Sequence, residues 1–214
     1  MPRTRTTESR RRQIVDAAVA VIARVGWAGA SIDEITAEAG VSRGLVSYHF
    51  RDKNELLSAV LERVREGFND SVEAAIAETS DPVEGLRIAS RVSLYAAVKD
   101  PVPYRIFLYF FANGASEPDL AEQIRELYAG FREAVAKTIR GCQKRGYFDP
   151  ELDPEAAAAR HIGAITGLAL QHLLDPGAFP FDEAARQAED MLMASLIGPV
   201  GSPQATRLSG TSPS

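Results

Sequence analysis

Apolar residues recur at three- and four-residue steps through most of the chain, and few segments alternate at the period of two that a half-buried strand requires. The pattern predicts an all-α fold. A first helix is expected from about Thr7 to Val25, with Ile14, Ala18, Val21, Ile22 and Val25 on its apolar face and Gly26 closing it in a left-handed conformation. A second opens at Ser31, with Glu34 at the capping-box position, turns Ile32, Ile35 and Ala39 inward, and stops at Gly40. A third, short helix is capped by Ser42 and ends near Phe50. Asp52 caps a long fourth helix, again with Glu55 three residues on, whose stripe runs Leu56, Leu57, Val60, Leu61, Val64, Phe68, Val72 and Ile76.

Beyond Thr79 the starts are marked by an acidic residue followed by proline, which suits the first helical position because its missing N–H would have no partner there. Asp81-Pro82, Glu117-Pro118 and Asp153-Pro154 each begin a helix on this reading, and further helices are expected over Tyr104–Ala112 and Asp182–Leu196. Residues 198–214 are rich in Gly, Pro, Ser and Thr and poor in apolar side chains, and read as a disordered tail.

Composition narrows the class. The chain has 214 residues, 45% of them hydrophobic, which is enough to bury a sizeable core. Its single cysteine, Cys142, excludes an internal disulfide framework and fits a reducing cytoplasm. A redox role for Cys142 stands beside the plainer reading of core filler. There is no 18-residue apolar run to span a membrane, and no apolar core follows the basic N-terminus as a secretory signal would require. The net charge of −5 is unevenly spread. Residues 1–65 hold eleven Lys and Arg against eight Asp and Glu, a net of +3, whereas the remainder holds thirteen against twenty-one, a net of −8. A locally basic segment is what phosphate contacts need, since screening confines them to short range.

The segment Ser31–Phe50 concentrates this chemistry. Two short helices joined by a tight turn at Gly40-Val41-Ser42 match a helix-turn-helix. In the second of them Val46 and Phe50 form one apolar row, and the rows Arg43/Ser47, Gly44/Tyr48 and Leu45/His49 remain for a ligand. Arg43 has the forked donors that match guanine O6 and N7, and Leu45 can touch a thymine methyl. Tyr48 and His49 can donate to phosphates, and Gly44 allows close backbone approach. Lys53 stands in the first turn of the fourth helix, against the dipole, a cost that a phosphate there would offset. The competing reading of Tyr48, His49 and Phe50 is aromatic packing on a small helical bundle.

The run SIDEITAEAGVSRGLVSYHFRDKNELLSAVLERV, preceded by RRRQIVDAAVAVIARVGWAGAS, resembles the N-terminal signature of TetR-type regulators. Within it, SYHFRDKNELL is similar to the branch containing the regulators of betaine synthesis, and GAITGLALQHLLDP (Gly163–Pro176) resembles one group of the family's C-terminal domains. The resemblance implies about nine helices: a DNA-binding domain over residues 1–52, a helical effector-binding and dimerisation domain over 53–197, and the tail 198–214. It places base or phosphate contacts on Arg43, Gly44, Leu45, Ser47, Tyr48, His49 and Lys53. Ser47 departs from the pattern, since many members carry tyrosine there. Arg3, Arg5 and Arg10–Arg12 stand as a flexible arm adding backbone or minor-groove contacts or, equally, as a solvated basic tail.

The resemblance further implies a cytoplasmic homodimer formed through the last two helices, here Glu155–Leu174 and Asp182–Leu196. It also implies a palindromic double-stranded operator and release by a small-molecule effector, and repression or activation are both open. The first of those two helices is rich in small residues, which permits close helix approach. An effector pocket is expected around the aromatic segment Pro101–Phe111, with Tyr104, Phe107, Phe110 and Phe111, joined by Tyr95, Tyr128 and Phe131; ordinary core is the alternative. His161 and His172 are eleven residues apart, about 16 Å along a helix, too far to share a metal; a dimer-interface or ligand role is expected for them. No nucleophile motif, phosphate loop or metal-ligand spacing is legible, so neither catalysis nor a cofactor or metal is expected. The competing classes are an architectural DNA-binding protein without an effector and a helical enzyme.

Overall fold

The computed structural model describes residues 3–114 and 118–197, and these residues form nine helices: α1 Arg3–Gly29, α2 Ile32–Ala39, α3 Arg43–His49, α4 Lys53–Ile76, α5 Pro82–Lys99, α6 Pro101–Gly114, α7 Pro118–Lys144, α8 Pro154–Leu174 and α9 Phe181–Ile197. The cap expected at Glu117 and the tail 198–214 lie outside the described residues. The chain divides into two compact units, one of Met1–Asp70 with Val102–Ile124, the other of Ser71–Pro101 with Arg125–Ser214.

The first unit contains α1–α3, most of α4, α6 from Val102, and the start of α7. Its buried side chains include Ile14, Val21 and Ile22 of α1, Ile35 and Ala39 of α2, Val46 of α3, and Leu56, Leu57 and Val60 of α4, on the faces their spacing predicts. Three features depart from that expectation. The helix begins at Arg3, so the supposed arm is the first turns of α1; the side chains of Arg3 and Arg5 are outside the described ones. Gly26 does take a positive φ of 73°, but its ψ of 167° is extended, and one more helical turn follows through Gly29. Val25, beside this break, is exposed rather than inward. The extra turn carries Trp27, which is buried against Tyr109 of α6 with ring centroids 5.5 Å apart.

The second unit has two clusters. Val83 and Leu86 of α5, Ile139 and Cys142 of α7, Phe148, Ala157 of α8, and Met193 and Leu196 of α9 form one. Leu94, Ile165, Phe181, Ala185 and Leu192 form the other. Asp81 and Asp153 cap α5 and α8 with proline following, as expected. Glu189 on α9 accepts from Arg91 (2.7 and 2.9 Å) and Arg87 (3.2 Å) on α5. Burial pushes the Glu189 carboxyl up, but the hydrogen bonds from Arg91 and Arg87 outweigh it and hold the group below the usual range.

Candidate nucleic-acid interface

The geometry of Ser31–Phe50 is set by local capping. The Glu34 N–H donates to Ser31 Oγ (3.1 Å), and the Ser31 N–H donates back to Glu34 Oε2 (3.0 Å), so two of the orphan donors at the start of α2 are met reciprocally. At the other end Gly40 sits at φ 62°, ψ 36°. Its N–H reaches the Ala37 carbonyl (3.2 Å) and the Val41 N–H reaches that of Thr36 (3.1 Å), which ends the helix within one residue. Ser42 then caps α3 through the Leu45 N–H (3.2 Å). Gln13 of α1 donates to the Ala39 carbonyl (2.7 Å), tying the turn to the longest helix of this unit. Asp52 caps α4 by accepting from the Glu55 N–H (2.8 Å). Glu55 does not complete a capping box with it; its carboxylate takes the Arg51 N–H (2.9 Å) and Nε (3.1 Å) instead.

The short α3 has two unlike sides. Val46 and the cap residue Phe50 are buried, whereas Arg43, Gly44, Ser47 and Tyr48 are exposed, Tyr48 to 75%, and Leu45 and His49 are half-buried. A Cβ on Gly44 would meet nothing nearer than Ser42 Oγ at 4.0 Å, so the fold has no packing reason for glycine there. Arg43 Nη1 is held by Asp33 Oδ1 at 2.8 Å, but both side chains are mostly exposed, and such a pair is worth little in water. The guanidinium of Arg11 lies 4.9 Å over the Phe50 ring, which brings a second basic group of α1 beside this helix. Lys53 stands 4.4 Å over the Trp27 ring and its Nζ is 3.4 Å from the Trp27 carbonyl. Sequence reading missed Trp27; its only cue was a lone tryptophan immediately after the helix-breaking Gly26.

The aromatic residues expected at an effector pocket are divided between the units. Tyr104, Phe107, Phe110 and Phe111 belong to α6 in the first; Tyr104 meets Phe107 edge to face at 6.1 Å, and Phe110 is fully buried. Tyr95, Tyr128 and Phe131 belong to the second, where Tyr128 meets Phe131 at 6.4 Å, and Tyr95 packs on Phe181 and donates to Asp182 (2.8 Å). Of the two histidines expected at a dimer interface or a ligand, His161 is buried and His172 is half-buried. His161 is buried with its Nε2 2.8 Å from Ser90 Oγ, and His172 packs on Phe181 with ring centroids 4.5 Å apart. Ser90 already donates to the Leu86 carbonyl (2.7 Å), so it accepts from His161 Nε2–H, and burial pushes the His161 pKa down to about 4. Cys142 is wholly buried, and burial pushes its thiol up to about 11, far from the reactive range. Among the described residues no group of His, Cys, Asp or Glu is placed to hold a metal ion, and no helix is long and apolar enough to cross a membrane.

A capped helix-turn-helix carrying an exposed polar helix, joined to a second helical unit, defines a DNA-binding transcriptional regulator. Family models agree: residues 14–60 match the bacterial regulatory proteins of the tetR family, and residues 82–196 match the C-terminal domain of BetI-type transcriptional repressors. The chain belongs to the TetR family and carries a BetI-type C-terminal domain. It is 29% identical over 202 residues to the HTH-type transcriptional regulator BetI of Pseudomonas fluorescens, covering 92% of this chain and 98% of that one. Among solved structures, a putative regulator from Saccharomonospora viridis in complex with choline superposes with a TM-score of 0.78 at 24% identity, over 90% of this chain and all of that one. The regulator AibR, in complex with isovaleryl coenzyme A and operator DNA, gives 0.64 at 20% identity over 86% and 98%.

Proposed function

We propose that the chain is a cytoplasmic homodimer that reads a palindromic operator with α3 and represses transcription until a small molecule releases it. The observation that carries the reading is the division of α3 into a buried row, Val46 and Phe50, and an exposed face bearing Arg43, Gly44, Ser47 and Tyr48. In the major groove Arg43 exchanges Asp33 for a guanine edge, and Leu45 approaches a thymine methyl. Tyr48, His49 and Lys53 reach phosphates, with Ser47 shorter than the group it replaces. Arg10, Arg11 and Arg12 add positive charge from a helix rather than from a flexible arm.

Dimerisation falls to α8 and α9. Leu174 and Met191 are 72% and 61% exposed, and Cβ atoms on Gly163 and Gly167 would meet nothing within 4 Å. Such an open stripe allows a partner helix to approach closely. Two recognition helices related by the dimer axis would then stand about one DNA turn apart, about 34–36 Å. The effector site is placed by this proposal within the second unit, on Tyr95, Tyr128 and Phe131. Choline is the first compound to assay, because a fold neighbour is in complex with it. The chain works by binding, not turnover.

The test is selection of sites from a random duplex pool at fixed salt. A palindrome recovered by the native protein and lost by Arg43→Ala supports the reading; weak, salt-sensitive binding with no enriched sequence would contradict it.

A further inference from the structure

The first unit contains a cavity of about 140 Å³ that no part of the DNA-reading proposal uses. Trp27 of the extra turn of α1 and Tyr109 of α6 form its aromatic walls, and Ile22, Leu57 and Ile106 supply aliphatic surface. A cavity of this size, comparable to an engineered one that takes up benzene, holds a single ring or a short branched chain.

Its charge is one-sided. The charged residues at its rim are Arg24 and Arg105, and no Asp or Glu lines it. Arg24 is paired with Glu38 at 3.2 Å. Arg105 is exposed and has no carboxylate or hydrogen-bond partner among the described residues. Lys53 adds a third positive group on the Trp27 ring. Aromatic walls alone would also suit an organic cation, but Arg105 and Lys53 oppose one.

We infer that this cavity binds a small organic carboxylate, its apolar body against the packed Trp27 and Tyr109 rings and its carboxylate on the guanidinium of Arg105. Arginine matches such a group with paired N–H donors, and the cavity supplies the apolar burial that a bare inorganic anion cannot use. Because Lys53 stands on Trp27, occupancy is linked to a proposed phosphate contact; that consequence rests on the DNA-reading proposal, whereas the binding itself does not.

Trp27 is the only tryptophan of the chain, so its emission reports the cavity directly. Benzoate is titrated into the full-length protein without DNA, with benzyl alcohol and benzylamine as neutral and cationic counterparts, and calorimetry gives the stoichiometry. Saturable change in Trp27 emission with benzoate, at one site per chain, is expected, with both counterparts at least about tenfold weaker. Arg105→Gln should weaken benzoate by about tenfold or more, the loss of a charge-assisted hydrogen bond. Arg105→Lys should retain part of the affinity. Ala23→Leu, which adds bulk at the cavity wall, should abolish binding while circular dichroism stays native. Unchanged emission, equal binding of the counterparts, or undiminished affinity in Arg105→Gln would overturn the assignment. Arg105 is exposed, so its replacement separates binding from folding.

Discussion

At Gly44 the requirements of the fold and of DNA separate. The residue lies in the first turn of α3, its Cβ position is open, and its φ is not positive. Gly44→Ala should therefore stabilise the protein slightly, by about 0.5 kcal/mol, because alanine loses less backbone entropy in a helix. The same change should weaken operator binding by at least about tenfold, since the methyl stands where a groove wall approaches. Chemical denaturation and a mobility-shift titration on one preparation check both halves. Unaltered affinity would remove Gly44 from the interface. His161 makes a separate residue-scale prediction. Its folded pKa, about 4, lies below the ordinary value of 6.5, so the unfolded chain binds the proton first as pH falls. Stability is then full above pH 6.5 and declines as pH drops toward 4, by roughly 2 kcal/mol between pH 7 and pH 5. Denaturation at a series of pH values should show this slope, and His161→Gln should lack it.

Among the elements, α2 depends most visibly on its ends. It has only eight residues, too few to persist alone, and its start rests on the Ser31–Glu34 capping box. Ser31→Ala should cost about 1 kcal/mol, read from the shift of the denaturation midpoint. Gly40→Ala should cost at least as much, since a Cβ at φ 62° is strained whatever the space around it. Both changes loosen the turn that aims α3, so operator affinity should fall with stability, unlike in Gly44→Ala. These caps were legible in the sequence, because capping depends on residues within three or four positions of one another. The break in α1 was half legible: glycine signalled a positive φ, but not the further turn that buries Trp27. That turn is stabilised by Tyr109, more than eighty residues away, and no local pattern reports such a partner.

For the whole molecule, the dimer proposal turns on a face that is empty in the single chain. Gly163→Trp places bulk where a Cβ meets nothing within 4 Å, so the protomer should fold normally. Sedimentation should then find a monomer, and operator affinity should fall steeply, because one recognition helix reads only half a palindrome. A dimer that survives this change would move the interface elsewhere. An effector that releases operator DNA must in turn be released by it. With coupling of about 1–3 kcal/mol, operator should weaken effector binding by the same 5–150-fold, measurable by titrating effector with and without DNA.

The sequence by itself determined the helix count and most boundaries, the recognition helix, the buried row of α3 and the family, because each is written in short-range periodicity, caps and a contiguous signature. Tertiary structure alone decided that Arg43 rests on Asp33 and Lys53 on Trp27, and that His161 lies inside the protomer on Ser90. It also divided the aromatic residues expected in one pocket between two units, and opened a cavity beside Trp27. These are long-range pairings. Helical periodicity says which face of a helix is apolar, and only packing chooses the partner that face meets.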